Sequence, residues 1–104
     1  AAVWCLRGGS GATKLLPGLG ALPVPPKSQE KCVIGFSDVT AFHLFLPQAW
    51  GWQTVHGPNL GQMSKGECDA QTVQTLKSLL FGEQDHVEIP GVLPLNDPAK
   101  DAGT

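Results

Sequence analysis

The chain has 104 residues, of which 41% are hydrophobic and 15% charged, with a formal charge of −2. Ample hydrophobicity with so little charge excludes a disordered chain, and the lack of any basic block or Lys/Arg–aromatic interleaving excludes an electrostatic nucleic-acid binder. No apolar run approaches the roughly 20 residues that cross a bilayer, so no membrane partner is expected.

The length suits one domain or a large part of one, able to bury roughly two thirds of the surface its unfolded form exposes. The cysteines Cys5, Cys32 and Cys68 are odd in number, widely spaced and free of any CxxC pair, which argues against zinc or another metal. Cys5 and Cys32 sit in apolar runs and read as small buried hydrophobes, which fits a reducing, cytoplasmic setting. Ala1 opens straight into the apolar run AAVWCL with no basic region before it, unlike a signal peptide. The expectation is therefore a piece of a longer protein.

Taken in chain order, AVWCL at 2–6 is a continuous apolar run of the kind found in strands buried on both faces. RGGSG at 7–11 follows as a glycine loop, and ATKLL at 12–16 predicts a short helix stopped near Pro17. PGLGALPVPPKSQE at 17–30 reads as a proline-rich loop. KCVIGF at 31–36 predicts a second buried strand, and SDVTAFHLFL at 37–46 a helix capped by Ser37 or Asp38 and ended or bent by Pro47. QTVH at 53–56 predicts a third strand closing at GPN. A third helix is expected over 69–80, with Asp69 as its cap, Val73, Leu76, Leu79 and Leu80 as its apolar stripe, and Gly82 as its stop. The tail HVEIPGVLPLNDPA reads as two extended pieces broken by prolines. This alternation predicts an α/β fold: a mostly parallel sheet with flanking helices.

Chemistry gathers at the carboxyl ends of the strands, where ligands bind in such sheets. In GFSDVT at 35–40 a serine stands where a buried strand turns into a helix. There its hydroxyl is lifted clear of the sheet and helix N-terminal amides face whatever lies beside it. The segment is like a nucleophile elbow, although Val39 replaces the second glycine of GxSxG; the alternative is a plain N-cap serine. Gly8 and Gly9 can offer backbone N–H groups to an oxyanion, or simply form a tight turn. GGSGATK fails as a phosphate loop, since Thr13 stands where glycine should precede the lysine and Leu15 replaces Ser/Thr. His56 in HGP is either substrate-facing or bonded to a nearby carbonyl. His43 reads as packing, His86 as solvated, and Trp4, Trp50 and Trp52 as core or interface.

Jointly these segments are more specific than any one alone. WCLRGGSG at 4–11, Leu15-Leu16-Pro17, Pro26-Lys27, IGFSDVTA at 34–41 and His56-Gly57-Pro58 occur in the order seen in the LD-carboxypeptidase family, which includes the microcin C immunity peptidases. The chain resembles that family well over 2–58 and loosely to about 100. The resemblance implies that 1–104 is part of the N-terminal domain of a serine peptidase with a Ser-Glu-His triad and no cofactor. It implies Ser37 as nucleophile, and an oxyanion hole from the Gly8/Gly9 region and the N–H of Asp38. The implied substrate is a murein tetrapeptide whose terminal D-alanine is released from an L,D amide bond; implied partners are a C-terminal domain and a second subunit in a homodimer.

The departures are Ser10 in place of an aromatic, Lys14 for arginine, Gly20 for aspartate, an irregular 21–30 linker and HGPN for HGPM. The family's triad Glu and His fall beyond this chain, and neither His56 nor Glu88 matches them. Without a base the serine hydroxyl stays protonated and weakly nucleophilic, so the isolated chain is expected to be inactive. A microcin-type immunity peptidase, a non-catalytic interaction or remnant domain, and a nucleotide-binding domain are the competing readings.

Overall fold

The computed structural model describes residues 1–89 and 91–96. Three strands form one parallel sheet in the order β1 (Ala2–Trp4), β2 (Cys32–Gly35), β3 (Thr54–His56). Between and after them come helices α1 (Ala12–Gly20), α2 (Thr40–Trp50), α3 (Leu60–Lys65) and α4 (Ala70–Leu80), with 3-10 turns at Lys27–Gln29 and Ser37–Val39. The α/β class expected from the sequence is the one observed. The chain divides into two compact units, Ala1–Gln74 and the part from Thr75 on, with the boundary inside α4.

Register fixes the working edge of the first unit. Trp4 pairs with Ile34, Ile34 with Val55, and Gly35 with His56. The three strands therefore end level, and the glycine loop, the GFSD turn and the HGPN turn all leave the sheet at one edge. Successive side chains of a strand face opposite sides. Val33 and Ile34 are both buried, so β2 is covered on both faces. Val33 joins Val39 and Leu46 in the core, with Cys5, Phe42, Phe45, Trp50 and Trp52 packed against them. Trp50 meets Phe45 and Trp52 edge-to-face at centroid separations of 5.9 and 5.2 Å. Burial raises the pKa of the Cys5 and Cys32 thiols, as expected of unreactive packing cysteines.

Both prolines sit inside helices rather than at their ends. α1 passes Pro17 to Gly20, where the N–H of Ala21 donates to the Pro17 carbonyl at 3.2 Å. α2 passes Pro47 and stops at Gly51, whose φ of 68° is left-handed. A mid-helix proline removes one donor, here the one that would reach His43, and crowds that carbonyl. The last turn of α2 holds because Trp50 packs on Phe45 and Trp52, so tertiary packing outweighs the local cost. The 17–30 loop is correspondingly shorter and contains the Lys27–Gln29 turn.

α4 begins where expected. The Thr72 N–H donates to Asp69 Oδ1 at 2.7 Å, and this bond, with others from Thr72 and Gln71, holds the Asp69 carboxyl below its usual pKa. Its capping contribution is present above the unfolded carboxylate pKa and is lost as the pH falls through the depressed folded value. In the second unit, Ser78 Oγ donates to Glu83 Oε2 at 3.2 Å and Gly82 turns left-handed after the helix. No strand forms in the tail among the described residues; Pro90 and residues 97–104 lie outside them.

Candidate active site

Ser37 is the one non-glycine with positive φ among the described residues, at 67°. A side chain in this left-handed conformation costs roughly 1–2 kcal/mol, and such strain clusters at functional sites. The preceding Phe36 is fully extended, with φ −147° and ψ −176°, and a 3-10 turn follows at once. The chain therefore reverses sharply at Ser37 and leaves its side chain exposed at the strand edge. Neither Ser37 nor Asp38 caps α2, contrary to the sequence expectation, because the 3-10 turn intervenes and Val39 precedes the helix.

The Asp38 side chain caps a different helix. The N–H of Ala12, first residue of α1, donates to Asp38 Oδ2 at 3.0 Å. A carboxylate at a helix N-terminus is favoured by the orphan amides and the dipole there. This bond ties the glycine loop to the serine turn across 26 residues of sequence. It also fills with the protein's own anion the place where a phosphate would have to bind, which disfavours the nucleotide reading.

Gly8 abuts the serine. A Cβ at Gly8 would lie 3.0 Å from Ser37 Cβ and 3.1 Å from Ser37 Oγ. The backbone N–H groups of Gly8 and Gly9 donate no hydrogen bond among the described residues. The N–H of Asp38 lies in the first turn of a helix, where amides lack an intrahelical acceptor. Gly8, Gly9 and Asp38 line a cleft of about 450 Å³ with Arg7, Ser10, Gly11, Ala12, Leu15, Val39 and Phe42. Free amides and the Arg7 guanidinium, set in a largely apolar lining, suit a polarised carbonyl-bearing ligand.

The third turn buttresses this edge. Asn59 is buried, 3% exposed, and its Oδ1 accepts the Phe36 N–H at 3.3 Å. The same side chain caps α3, with Gln62 closing a reciprocal capping box. The N–H groups of Leu60 and Gly61 donate to the Cys5 and Leu6 carbonyls, each at 2.9 Å, and so hold the start of the glycine loop. A Cβ at Gly61 would stand 2.7 Å from the Leu6 oxygen, so only glycine permits this approach. Trp4 Nε1 donates to the Pro58 carbonyl at 2.8 Å.

The structure thus brings Ser37, Gly8, Gly9 and Asp38 together. His56 stands at the end of β3 but does not line the cleft; it stacks on His43 with centroids 5.5 Å apart. The role expected of His56, a bond to a nearby carbonyl, belongs to His43, whose Nε2 lies 2.7 Å from the Gly35 oxygen. His86 is exposed beside Asp85. Among the described residues no His/Cys/Asp/Glu group could hold a metal ion, and no helix is long and apolar enough to cross a membrane. Sequence reasoning missed Asn59, although the signal was present: Asn59 and Gln62 have the spacing of a capping box.

A family profile described as the LD-carboxypeptidase N-terminal domain matches residues 1–57. The chain belongs to the LD-carboxypeptidase family. It is 47% identical over 98 residues to proteins of Rickettsia conorii and Rickettsia prowazekii, each provisionally named a carboxypeptidase. These alignments cover 94% of this chain and 30% of each relative. It is also 44% identical over 63 residues to the murein tetrapeptide carboxypeptidase of Pseudomonas aeruginosa, covering 55% of this chain and 18% of that protein. The chain therefore spans about a third or less of the length of these relatives. No solved structure is a significant match.

Proposed function

We propose that this chain carries the nucleophile and oxyanion hole of a serine carboxypeptidase that cuts an L,D amide bond and releases a terminal D-alanine from a murein tetrapeptide. The observation that carries this reading is the left-handed Ser37 set against Gly8, itself a residue of the cleft wall. Family membership supports the peptidase class, and the name of the Pseudomonas relative supports the substrate. Ser37 Oγ attacks the scissile carbonyl carbon, and its proton passes to a histidine oriented by a glutamate. Both are supplied from outside this chain, as in the family's triad. The oxyanion forms against the N–H groups of the Gly8/Gly9 loop and Asp38. The amide bond breaks as the leaving nitrogen takes a proton, D-alanine departs, and water hydrolyses the acyl-serine.

The test is a chimaera in which this chain replaces the aligned 30% of the Rickettsia conorii relative. D-alanine release from an L-Ala-D-Glu-diaminopimelate-D-Ala peptide is expected, together with fluorophosphonate labelling at Ser37. The 104-residue chain alone should do neither at a measurable rate. Labelling without D-alanine release would leave a serine hydrolase of other specificity. No labelling of a folded chimaera, where the unaltered relative labels, would refute the assignment of Ser37.

Gly8→Ala offers a sharper check on the geometry. The new methyl would meet Ser37 Cβ at 3.0 Å and Oγ at 3.1 Å, tighter than an ordinary contact, so the serine must give by a few tenths of an ångström. Displacements of about 1 Å at a reacting group cost on the order of 100-fold. The shift at Gly8→Ala is smaller, so the chimaera carrying it should lose Ser37 labelling by roughly tenfold. Its melting temperature should stay within a few degrees, because Gly8 lies in a loop outside the core.

A further inference from the structure

We infer that His43 is a positioning residue for the serine turn, acting through the Gly35 carbonyl. His43 lies on α2, one turn into the helix, and its Nε2 sits 2.7 Å from the Gly35 oxygen, two residues before Ser37. A carbonyl can only accept, so Nε2 carries the proton. The ring's Nδ1 is buried and without a partner among the described residues. The other tautomer would leave Nδ1–H unpaired and also set the Nε2 lone pair against the Gly35 oxygen, losing the bond. Burial and the bond therefore select the same tautomer.

Gly35 is a rigid anchor for this purpose. It is buried, and a Cβ on it would meet Asn59 Oδ1 at 2.8 Å, Cys5 Cβ at 3.1 Å and Val39 Cγ1 at 3.2 Å. Its oxygen accepts a second bond, from the Gly57 N–H at 3.2 Å. The His56 ring, one residue earlier, stacks on His43 with an interplanar angle of 25°. His43 thus joins the start of the serine turn to the HGPN turn from the helix side, while Asn59 holds the Phe36 N–H from the other. Two side chains thus hold the two ends of one peptide group, Gly35–Phe36, one residue before the strained Ser37. Strain of this kind persists only where the surroundings over-determine the backbone.

The inference concerns geometry and can be read in the 104-residue chain, apart from any activity. Ring nitrogen shifts of the labelled wild-type chain should show His43 as the Nε2–H tautomer, with that proton protected from exchange. An Nδ1–H tautomer or a freely exchanging ring proton would overturn the inference with no variant needed. His43→Gln can present an amide N–H to the Gly35 oxygen; His43→Leu cannot. The Ser37 Cα and Cβ shifts should report the left-handed turn in wild type and in the Gln variant. In the Leu variant they should move towards extended values while Val33 and Ile34 stay in strand. Unchanged Ser37 shifts in a folded Leu variant would refute it, as would their loss in a folded Gln variant. In the chimaera, Ser37 labelling should fall about tenfold or more with Leu and stay within a few-fold with Gln, the scale expected for a small misplacement. If the chimaera does not label at all, the proposed activity fails and the ring and Ser37 shifts still decide the role of His43.

Discussion

Ser37→Gly should give a chain that is more stable and, in the chimaera, catalytically dead. The φ of 67° at Ser37 costs a side-chain-bearing residue roughly 1–2 kcal/mol, and glycine removes that cost. Part of the gain is returned, because glycine adds about 0.4–1 kcal/mol of unfolded-chain entropy. The net expectation is a rise of roughly 0.5–1 kcal/mol, or a few degrees in melting temperature. Ser37→Ala retains the Cβ and the strain, so it should be no more stable than wild type. The Gly–Ala difference in urea midpoints isolates the backbone term. Both variants should lose turnover by an amount on the order of the 10⁶-fold seen when a catalytic serine is removed elsewhere. A glycine variant less stable than the alanine variant would show that Ser37 is not left-handed in solution. That result would remove the main support for an elbow.

A glycine variant that is more stable but inactive would mark Ser37 as a residue kept for chemistry at the expense of stability. A capping serine would show the opposite signature. Its hydroxyl would accept an N–H of the following helix, and its removal would cost about 1 kcal/mol. Here no side-chain cap bond is made to that helix. Local pattern left both readings of Ser37 open; the stability of the glycine and alanine variants is the measurement that separates them.

The α/β order and the three strand positions were legible because continuous apolar runs such as KCVIGF carry their own boundaries in glycine and proline. The prolines misled in the other direction. Pro17 was read as a helix stop and Pro47 as an end or a bend on local grounds, yet Trp50 lies beyond Pro47 and packs on Phe45 and Trp52, which holds the last turn of α2 in place. At the site, Ser37, Gly8 and Gly9 were nameable because parallel strands deliver their following loops to one edge, whereas the Asp38 N–H was named as a donor only through the family resemblance. The Asp38–Ala12 and His43–Gly35 bonds were not legible. Each depends on a side-chain direction set only once helix and sheet are packed, and in each the residue serves an element other than the one it begins or belongs to.

The largest loss of stability is expected from Asn59→Ala, because one side chain supports two elements. Its removal leaves the Phe36 N–H without its acceptor, at about 1–3 kcal/mol for a buried donor. It uncaps α3, at about 1 kcal/mol. It also leaves space at a site only 3% exposed. Together these suggest a fall of about 3 kcal/mol, a large fraction of the 5–15 kcal/mol typical of a domain. Asn59→Asp keeps both acceptor roles and separates the hydrogen bonds from the volume, although it buries a charge. If Ala costs much more than Asp, the bonds dominate. If both cost under 1 kcal/mol by urea titration, the Phe36 N–H has another acceptor and the HGPN turn is not the buttress described. The consequence for chemistry follows from position. Phe36 is the residue before Ser37, so a freed Phe36 amide loosens the peptide whose rigidity sustains the left-handed serine. Ser37 labelling in the chimaera should therefore fall with Asn59→Ala even at temperatures where the protein remains folded.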